Sequence, residues 1–228
     1  MMALRVLGLA LMGALGLVVG AALAQDPGPD EPGQFDFYVL SLSWSPSFCD
    51  AAGGRARRQP QCAGRRYSFV VHGLWPQYER GFPRSCQLPA PRLPRSIMTS
   101  MLDLMPAPQL IYHEWDEHGT CSGLGPGEYF DTVRKARAAV HVPPQYSELT
   151  SALTVSPDEV TAAFVAVNPG LTANSMAIEC DNRRLREVRI CLTKDLAFRE
   201  CPSLARRTCR RDAVTMPPVR GGTPFWQR

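Results

Sequence analysis

Eight cysteines constrain this chain most strongly, because they follow a segment typical of exported proteins. Residues 1–24 carry one arginine, an apolar run over residues 6–19 and the small-residue ending Ala22-Leu23-Ala24, which together are typical of a cleaved signal peptide. The apolar stretch is also long enough for a membrane anchor. The glycines within it and the Ala-x-Ala ending favour cleavage before Gln25, so we expect an exported protein, periplasmic or secreted, with no membrane attachment.

An even number of cysteines behind an export signal predicts a disulfide-bonded protein, with up to four bridges here. No two cysteines have the C-x-x-C spacing of common zinc and redox motifs, so we do not expect them to bind metal. A hydrophobic content of 45% and a charged content of 20% are typical of a globular chain. The formal net charge of +4 is only a weak indication of an anionic partner.

The chain organisation predicts one domain behind a short leader. Residues 25–34 are rich in proline, glycine and acids, and we expect them to form a flexible leader. Residues 35–228 have the length of a single domain, can bury a core and contain no internal repeat. We expect this domain to be a monomer.

Hydrophobic patterns predict strands at both ends of the domain and helices between them. The predicted strands are Phe35–Trp44, Tyr67–His72, Met176–Cys180 and Leu185–Leu192, and the predicted helices are Ser96–Met105, Gln109–His118, Gly127–Val140 and Pro157–Val167. Gly73 is expected to end the second strand and Gly119 to be a left-handed helix cap. Residues 50–66 are predicted as a loop whose ends Cys49 and Cys62 could tie. This order predicts an α+β fold with a central, mainly antiparallel sheet flanked by helices.

Three of the four histidines lie in two short segments, each of which also contains a tryptophan. The first segment is His72-Gly73-Leu74-Trp75-Pro76, and the second is His-Glu-Trp-Asp-Glu-His-Gly-Thr-Cys at residues 113–121. Histidine exchanges protons near neutral pH, so imidazoles from the two segments can form an acid/base couple. A lone histidine is more often structural, but two such segments in an exported chain favour a catalytic site.

Helical spacing sorts the side chains of the second segment. Glu114 and His118 are four residues apart, so we expect Glu114 to orient His118 and to favour its protonated form. His113 and Glu117 form a second pair with the same spacing. A zinc hydrolase would require His-Glu-x-x-His, whereas the five-residue separation here turns the two imidazoles about 140° apart around the helix.

The two tryptophans receive different interpretations. Trp115, midway along a predicted helix, is expected to pack inward. Trp75 lies two residues beyond Gly73, at the predicted strand exit, where it can stack on a nucleobase. Two imidazoles, a carboxylate, arginines and a stacking ring suit a phosphodiester whose neighbouring hydroxyl is the nucleophile. RNA has that 2′-hydroxyl and DNA does not.

The two histidine segments resemble the active-site segments of the ribonuclease T2 family of exported endoribonucleases. Residues 38–46 also resemble the family's first strand and residues 168–191 its later helix and hairpin, so the resemblance extends from Phe35 to Cys209. It implies an antiparallel sheet flanked by helices and a metal-free, cofactor-free enzyme acting on single-stranded RNA. The 2′-hydroxyl would attack the phosphate, giving a 2′,3′-cyclic phosphate and then a 3′-phosphate.

The resemblance also implies roles for individual side chains. By similarity His118 is the general base and His72 the general acid, while Glu114 and His113 contact the phosphate and stabilise the transition state. Trp75 matches a base-stacking position. The implied disulfides are Cys86–Cys121, Cys180–Cys209 and Cys191–Cys201, with Cys49–Cys62 as the remaining pair.

Glu117 departs from the family pattern, because many members have a lysine at this position. We favour the interpretation that Glu117 pairs with His113 and keeps that imidazole cationic. Otherwise an arginine supplies the missing charge, or the enzyme is slower, since loss of a transition-state contact commonly costs on the order of 10²-fold in rate.

Two further functions stay open on the sequence. One is a catalytically weak or inactive RNA-binding protein on the same fold, in which Glu117 in place of the family's lysine would mark the loss of activity. The other is a metal-dependent hydrolase, which the histidine spacing disfavours.

Overall fold

The computed structural model of the chain describes residues 30–219, with the backbone alone at residues 56 and 57. The predicted signal peptide and residues 25–29 of the predicted leader therefore lie outside the described residues, as do residues 220–228. Within residues 30–219, no helix combines the length and hydropathy that crossing a bilayer requires.

The described residues form six strands, eight α-helices and three short 3₁₀ helices. The strands are β1 (Phe37–Trp44), β2 (Phe69–Gln77), β3 (Leu153–Val155), β4 (Met176–Cys180), β5 (Leu185–Leu192) and β6 (Val214–Met216). The α-helices are α1 (Ser45–Ala52), α2 (Pro60–Ala63), α3 (Arg95–Ser100), α4 (Pro108–Glu117), α5 (Pro126–Ala138), α6 (Pro144–Ser147), α7 (Pro157–Val167) and α8 (Pro202–Ala205). The 3₁₀ helices are Gly53–Arg58, Gly119–Ser122 and Ala173–Ser175.

Four strands form a central antiparallel sheet in the order β2-β1-β5-β4, and β3 pairs with β6 in a small second sheet. Helices pack against the central sheet, so the predicted α+β class and antiparallel arrangement are confirmed. The predicted bounds of α7, β4 and β5 agree with the structure. Helix α7 begins with the capping box of Ser156 and Glu159, which was visible in the sequence.

Strand β1 separates the main core from the opposite face of the sheet. Its alternate residues Tyr38, Leu40, Leu42 and Trp44 are buried in the main core. The intervening Phe37 and Val39 belong to a small second cluster, and Ser41 and Ser43 follow them on the same face. The second face of the sheet thus becomes polar at its centre.

Strand β2 extends to Gln77, so the prediction that it ends at Gly73 is wrong. Residues 73–77 continue the ladder with β1, from Gly73 opposite Ser41 to Gln77 opposite Phe37. The proline at position 76 is tolerated because β2 is an edge strand, where a missing N–H does not interrupt a ladder on both sides.

The prediction of a loop over residues 50–66 is also wrong, because α1, a 3₁₀ helix and α2 occupy most of this stretch. Pro46 ends β1 by starting α1, since proline is pre-organised for the first turn of a helix. The left-handed cap lies at Gly123, with φ of 77°, and Gly119 begins a 3₁₀ helix instead.

Residues 30–34 of the predicted leader form no helix or strand, but they are bonded to the domain. The Gly33 N–H donates to the Cys121 carbonyl at 2.9 Å. The Asp30 carboxylate accepts hydrogen bonds from the Tyr78 hydroxyl and the Arg84 backbone N–H. This part of the leader is therefore held against the domain, which differs from the flexible segment expected.

All four disulfides implied by the family resemblance are present. Cys86–Cys121 fastens the proline-rich segment before α3 to the 3₁₀ helix that follows α4. Cys49–Cys62 closes the segment between α1 and α2, and the other two bridges hold β4 and β5 to the chain after β5.

Candidate active site

The candidate site lies on the polar face of the central sheet, and a β-bulge places its first histidine. Ser41 pairs with Gly73 and Leu42 pairs with Val71, so His72 is the extra residue on β2. A bulge of this kind redirects one side chain without ending the strand pairing. His72 therefore projects from within β2 towards β5, and not from a strand end as predicted.

Two carboxylates flank the His72 imidazole. Its Nδ1 is 2.6 Å from Glu187 Oε1 on β5, and its Nε2 is 3.6 Å from Glu114 Oε1 on α4. The His72 side chain remains 34% exposed, whereas those of Glu114 and Glu187 are 1% and 12% exposed. The ring thus reaches solvent between two groups that are nearly enclosed.

The Glu187 carboxylate is held by donors from two strands. The hydroxyls of Ser41 and Ser43 donate to it at 3.0 and 3.2 Å. The Arg189 guanidinium donates through Nε and one terminal nitrogen at 3.0 and 2.9 Å. Burial alone would raise the pKa of Glu187, but its hydrogen bond to His72 and these positive charges lower that pKa to about 2. Glu187 is therefore an ionised acceptor at every physiological pH.

The charge of Glu187 changes the protonation of His72. Burial lowers the pKa of the imidazole, but the hydrogen bond to Glu187 and the charges of Glu187 and Glu114 outweigh burial and raise the pKa above its usual 6.5. His72 is consequently a proton donor in mildly acidic and near-neutral solution.

Glu114 lies on the buried side of α4, where it accepts a hydrogen bond of 2.7 Å from the Trp75 indole N–H. Burial is the main reason that the pKa of Glu114 is raised, to about 7. This pair packs directly over Gly73, where a Cβ atom would lie 2.7 Å from Glu114 Cδ. Glycine is required here because no side chain fits beneath the carboxylate.

Trp75 lies within β2, not at a strand exit as predicted. Its ring centroid is 5.3 Å from that of His72 and 5.5 Å from that of His118, and the Arg189 guanidinium lies 5.1 Å from it. The indole therefore separates the two imidazoles. Trp115 packs inward as predicted, with 1% exposure and its N–H donated to the Pro91 carbonyl.

His118 is not oriented by Glu114, so that prediction is wrong. Helix α4 ends at Glu117, and His118 has non-helical backbone angles, so the side-chain spacing of a continuing helix does not apply. Within residues 30–219, the buried Nδ1 of His118 has no hydrogen-bond partner. Burial, followed by the charges of His113, His72 and Arg84, lowers the pKa of His118 to about 4. His118 is thus kept neutral, opposite to the protonated form expected.

The predicted pair of His113 and Glu117 is also absent. His113 is exposed, and in the described part of the chain the Glu117 carboxylate makes no ion pair or hydrogen bond. An exposed pair with this spacing contributes only about 0.2–0.5 kcal/mol, which is too little to hold two solvated side chains together. The Glu117 charge acts instead on Glu114, whose pKa it helps to raise.

A cavity of about 460 Å³ opens beside His72. His113 and Glu187 line it together with His72, and its volume is in the range of small-molecule sites. The lining also includes the ring of Phe48, which is 36% exposed, and polar side chains from several elements, namely Ser43, Gln59, Gln61, Gln109 and Arg186. In the described part of the chain, no group of three or more histidine, cysteine, aspartate or glutamate side chains is arranged to hold a metal ion.

Sequence reasoning missed Glu187 and Arg189 as members of the site. In the sequence both are charged residues of β5 that alternate with the apolar Val188 and Ile190. Two charged residues at successive positions on one face of a central strand are unusual, because charges that become buried require partners. That signal indicates a site, but it does not identify His72 as the partner.

The two imidazoles, one with a raised pKa and one with a lowered pKa, form the arrangement of an acid–base enzyme on a disulfide-bonded antiparallel sheet. The model of the Ribonuclease T2 family matches residues 35–201. The chain therefore belongs to the ribonuclease T2 family.

Similar proteins agree with this assignment. A ribonuclease of Aeromonas hydrophila is 35% identical over 169 residues, which cover 72% of this chain and 75% of that protein. Among solved structures, an RNase-related protein from Calystegia sepium has a TM-score of 0.63 at 20% identity and covers 82% of this chain and 98% of its own. RNase NT in complex with 5′-AMP has a TM-score of 0.58 at 26% identity, with coverage of 81% and 98%. The chain is an endoribonuclease.

Proposed function

We propose that this endoribonuclease cleaves single-stranded RNA by metal-independent transesterification, with His118 as base and His72 as acid. The observation that carries the proposal is the opposite pKa shift of the two histidines across Trp75. A neutral imidazole at His118 takes the proton from the 2′-hydroxyl, which attacks the neighbouring phosphorus. A cationic imidazole at His72 gives its proton to the leaving 5′-oxygen.

The proton balance of this step is complete without a metal. The new bond joins the 2′-oxygen to phosphorus, the bond to the 5′-oxygen breaks, and the product carries a 2′,3′-cyclic phosphate. After the step His118 is protonated and His72 is neutral. In the second step the roles reverse, so that water opens the cyclic phosphate to a 3′-phosphate and both histidines return to their starting forms.

Glu187 is a positioning residue in this scheme. Its bond to Nδ1 fixes the tautomer of His72, so the Nε2 proton is the one available to the substrate. Glu114 acts from a buried position, where it holds Trp75 between the imidazoles and lies 3.6 Å from His72 Nε2. With 1% exposure it has almost no surface for a phosphate, so the contact to the phosphate falls to the exposed His113 in the cavity wall.

The missing positive charge opposite Glu117 is supplied by an arginine in this proposal. Arg84 is exposed, and its charge is one of the causes that lower the pKa of His118. In this proposal the same charge counters the negative charge that develops on the phosphate. This corresponds to the second interpretation of Glu117, in which an arginine takes the role of the family's lysine.

One nucleoside next to the scissile phosphate occupies the cavity beside His72. The similarity to RNase NT, which was crystallised with 5′-AMP, supports a nucleotide at this site. The exposed ring of Phe48 offers a stacking surface there, whereas the ring of Trp75 is already contacted by Arg189 and both imidazoles. We further propose that the enzyme acts as a monomer outside the cytoplasm, in the periplasm or the medium.

The test uses the purified protein with a dinucleotide RNA, its 2′-deoxy analogue, and the RNA in the presence of a chelator. We expect cleavage of the RNA alone, no effect of the chelator, and a 2′,3′-cyclic phosphate detected by mass spectrometry. His72→Ala and His118→Ala should each abolish turnover, whereas the exposed His141→Ala is the matched control. Sensitivity to the chelator, or cleavage of the deoxy analogue, would overturn the mechanism.

A further inference from the structure

Arginines occur in three segments that contact one another, and one of these arginines, Arg186, lines the cavity beside His72. We define the arginine surface as Arg55 and Arg58 from the 3₁₀ helix after α1, Arg183 in the β4–β5 turn, Arg186 at the start of β5, and Arg207, Arg210 and Arg211 after α8. Six of these residues are exposed, and the seventh, Arg186, is partly buried with 37% of its side chain accessible to solvent.

Contacts between the three segments place these arginines together. Arg184, at the β4–β5 turn, forms an ion pair with Asp50 at the end of α1. Arg211 donates to the Asn182 side chain in the same turn at 2.7 Å. The disulfide Cys49–Cys62 closes the first segment, so its arginines lie on a constrained support.

The arginine surface is continuous with the catalytic cavity. Gln59 and Gln61, which follow Arg58, line the cavity that also contains His72 and His113. Arg186 lines the same cavity from β5, one residue before Glu187. An RNA strand that extends out of the cavity past Gln59 and Arg186 would therefore contact these arginines.

Acidic residues offset only part of the charge of this surface. No aspartate or glutamate occurs from residue 51 to residue 78. Asp50 and Asp181 form ion pairs with Arg184, and Asp181 also lies 3.6 Å from Arg186. Within residues 30–219, Arg55, Arg58 and Arg183 form no ion pair through their side chains.

We propose that the arginine surface binds the phosphates of an RNA strand that extends beyond the cleaved linkage. The inference rests on the proposed function, because the cavity must hold the nucleotide next to the scissile phosphate. RNA is favoured as the ligand since the positive surface begins at the cavity wall and guanidinium groups match phosphate geometry. The enzyme should therefore prefer long strands to dinucleotides, by an electrostatic contribution that does not read the bases.

The test measures binding and cleavage separately. A 12-nucleotide oligomer with 2′-O-methyl groups has no free 2′-hydroxyl and reports binding alone, by fluorescence anisotropy at several salt concentrations. For the variant R55Q/R58Q/R183Q we expect weaker binding, by roughly 10- to 100-fold at 0.1 M salt, and a salt slope reduced by about 2. The ratio of kcat/KM for an RNA 12-mer to that for a dinucleotide should fall by a similar factor.

The control variant R92Q/R95Q/K135Q removes the same charge from exposed side chains outside the arginine surface, on the segment before α3, on α3 itself and on α5. It should retain the wild-type salt slope and cleavage ratio. Equal losses of oligomer binding in both variants, or an unchanged salt slope in R55Q/R58Q/R183Q, would overturn the proposal that the arginine surface binds RNA. Failure of the wild type to cleave the dinucleotide would instead contradict the proposed function, while the anisotropy data would still report on the surface.

Discussion

His72 and Glu187 are joined by a hydrogen bond of 2.6 Å between Nδ1 and Oε1, although 115 positions separate them in the chain. The bond uses Nδ1, so Nε2, which lies 3.6 Å from Glu114 Oε1, is not engaged by Glu187. Because Glu187 stays ionised, it stabilises the imidazolium form of His72.

Glu187→Gln should therefore lower the pKa of His72. The acid is needed in its protonated form, and a raised pKa keeps it protonated to higher pH. Without the charge, the alkaline limb of the kcat/KM profile should shift to lower pH, with a loss of roughly tenfold in rate per pKa unit on that limb. Titration of the His72 ring by NMR checks the cause. Glu179→Gln, which removes the other carboxylate bound to Arg189, is the matched control and should leave the limb in place.

The acid limb of the kcat/KM profile against pH should reflect the protonation of His118. Below a pH of about 4 this imidazole becomes protonated and can no longer accept the 2′-hydroxyl proton. We expect kcat/KM for a dinucleotide to stay high through mildly acidic pH and to fall only near pH 4. Arg84→Gln removes one of the charges that depress this pKa, so it should move the limb upward. An acid limb above pH 6 in the wild type would contradict the burial argument for His118.

Gly73→Ala should disrupt the site, because the added Cβ would collide with the Glu114 and Trp75 side chains. The new methyl group would overlap the Glu114 carboxylate and the Trp75 indole, both of which are fixed by their hydrogen bond. We expect a loss of about 1–3 kcal/mol in the free energy of unfolding, together with a large drop in kcat. Gly54→Ala is the control, because a Cβ there meets no atom within 4 Å. Equal stability of the two variants in thermal denaturation would show that the site adapts to the methyl group.

Glu117→Lys should leave turnover similar or raise it. The Glu117 carboxylate has no partner within the described residues, and it lies at the C-terminal end of α4, where a positive charge is favoured. Lysine would add positive charge near the phosphate and remove one cause of the raised pKa of Glu114. Asp116→Lys makes the same change of charge at the preceding, exposed residue. A strong loss of activity at position 117 alone would reveal a structural role for the acid.

Local patterns account for the elements that were predicted well. The capping box at Ser156 starts α7, and short runs rich in apolar residues define β1, β4 and β5. The grouping of the histidines identified the two candidate segments, which the structure brings together around Trp75, and the family resemblance implied the disulfide pairs.

Features that depend on distant pairing could not be obtained in this way. The bulge at His72 arises from its register with β1, and Glu187 approaches His72 only because β1 lies between β2 and β5. The expectation that Glu114 orients His118 assumed a continuous helix, but α4 ends one residue before that histidine. Helical spacing is therefore a poor guide at the last turn of a helix.

Because His72 lies in the bulge, its side chain serves the proposed chemistry without taking part in the pairing of β1 with β2. Because the ladder between β1 and β2 resumes on both sides of His72 without a cross-strand partner for it, replacement of this residue removes the acid and leaves the strand pairing in place. A single substitution there is thus a direct evolutionary route from a nuclease to a stable protein that holds RNA without cutting it.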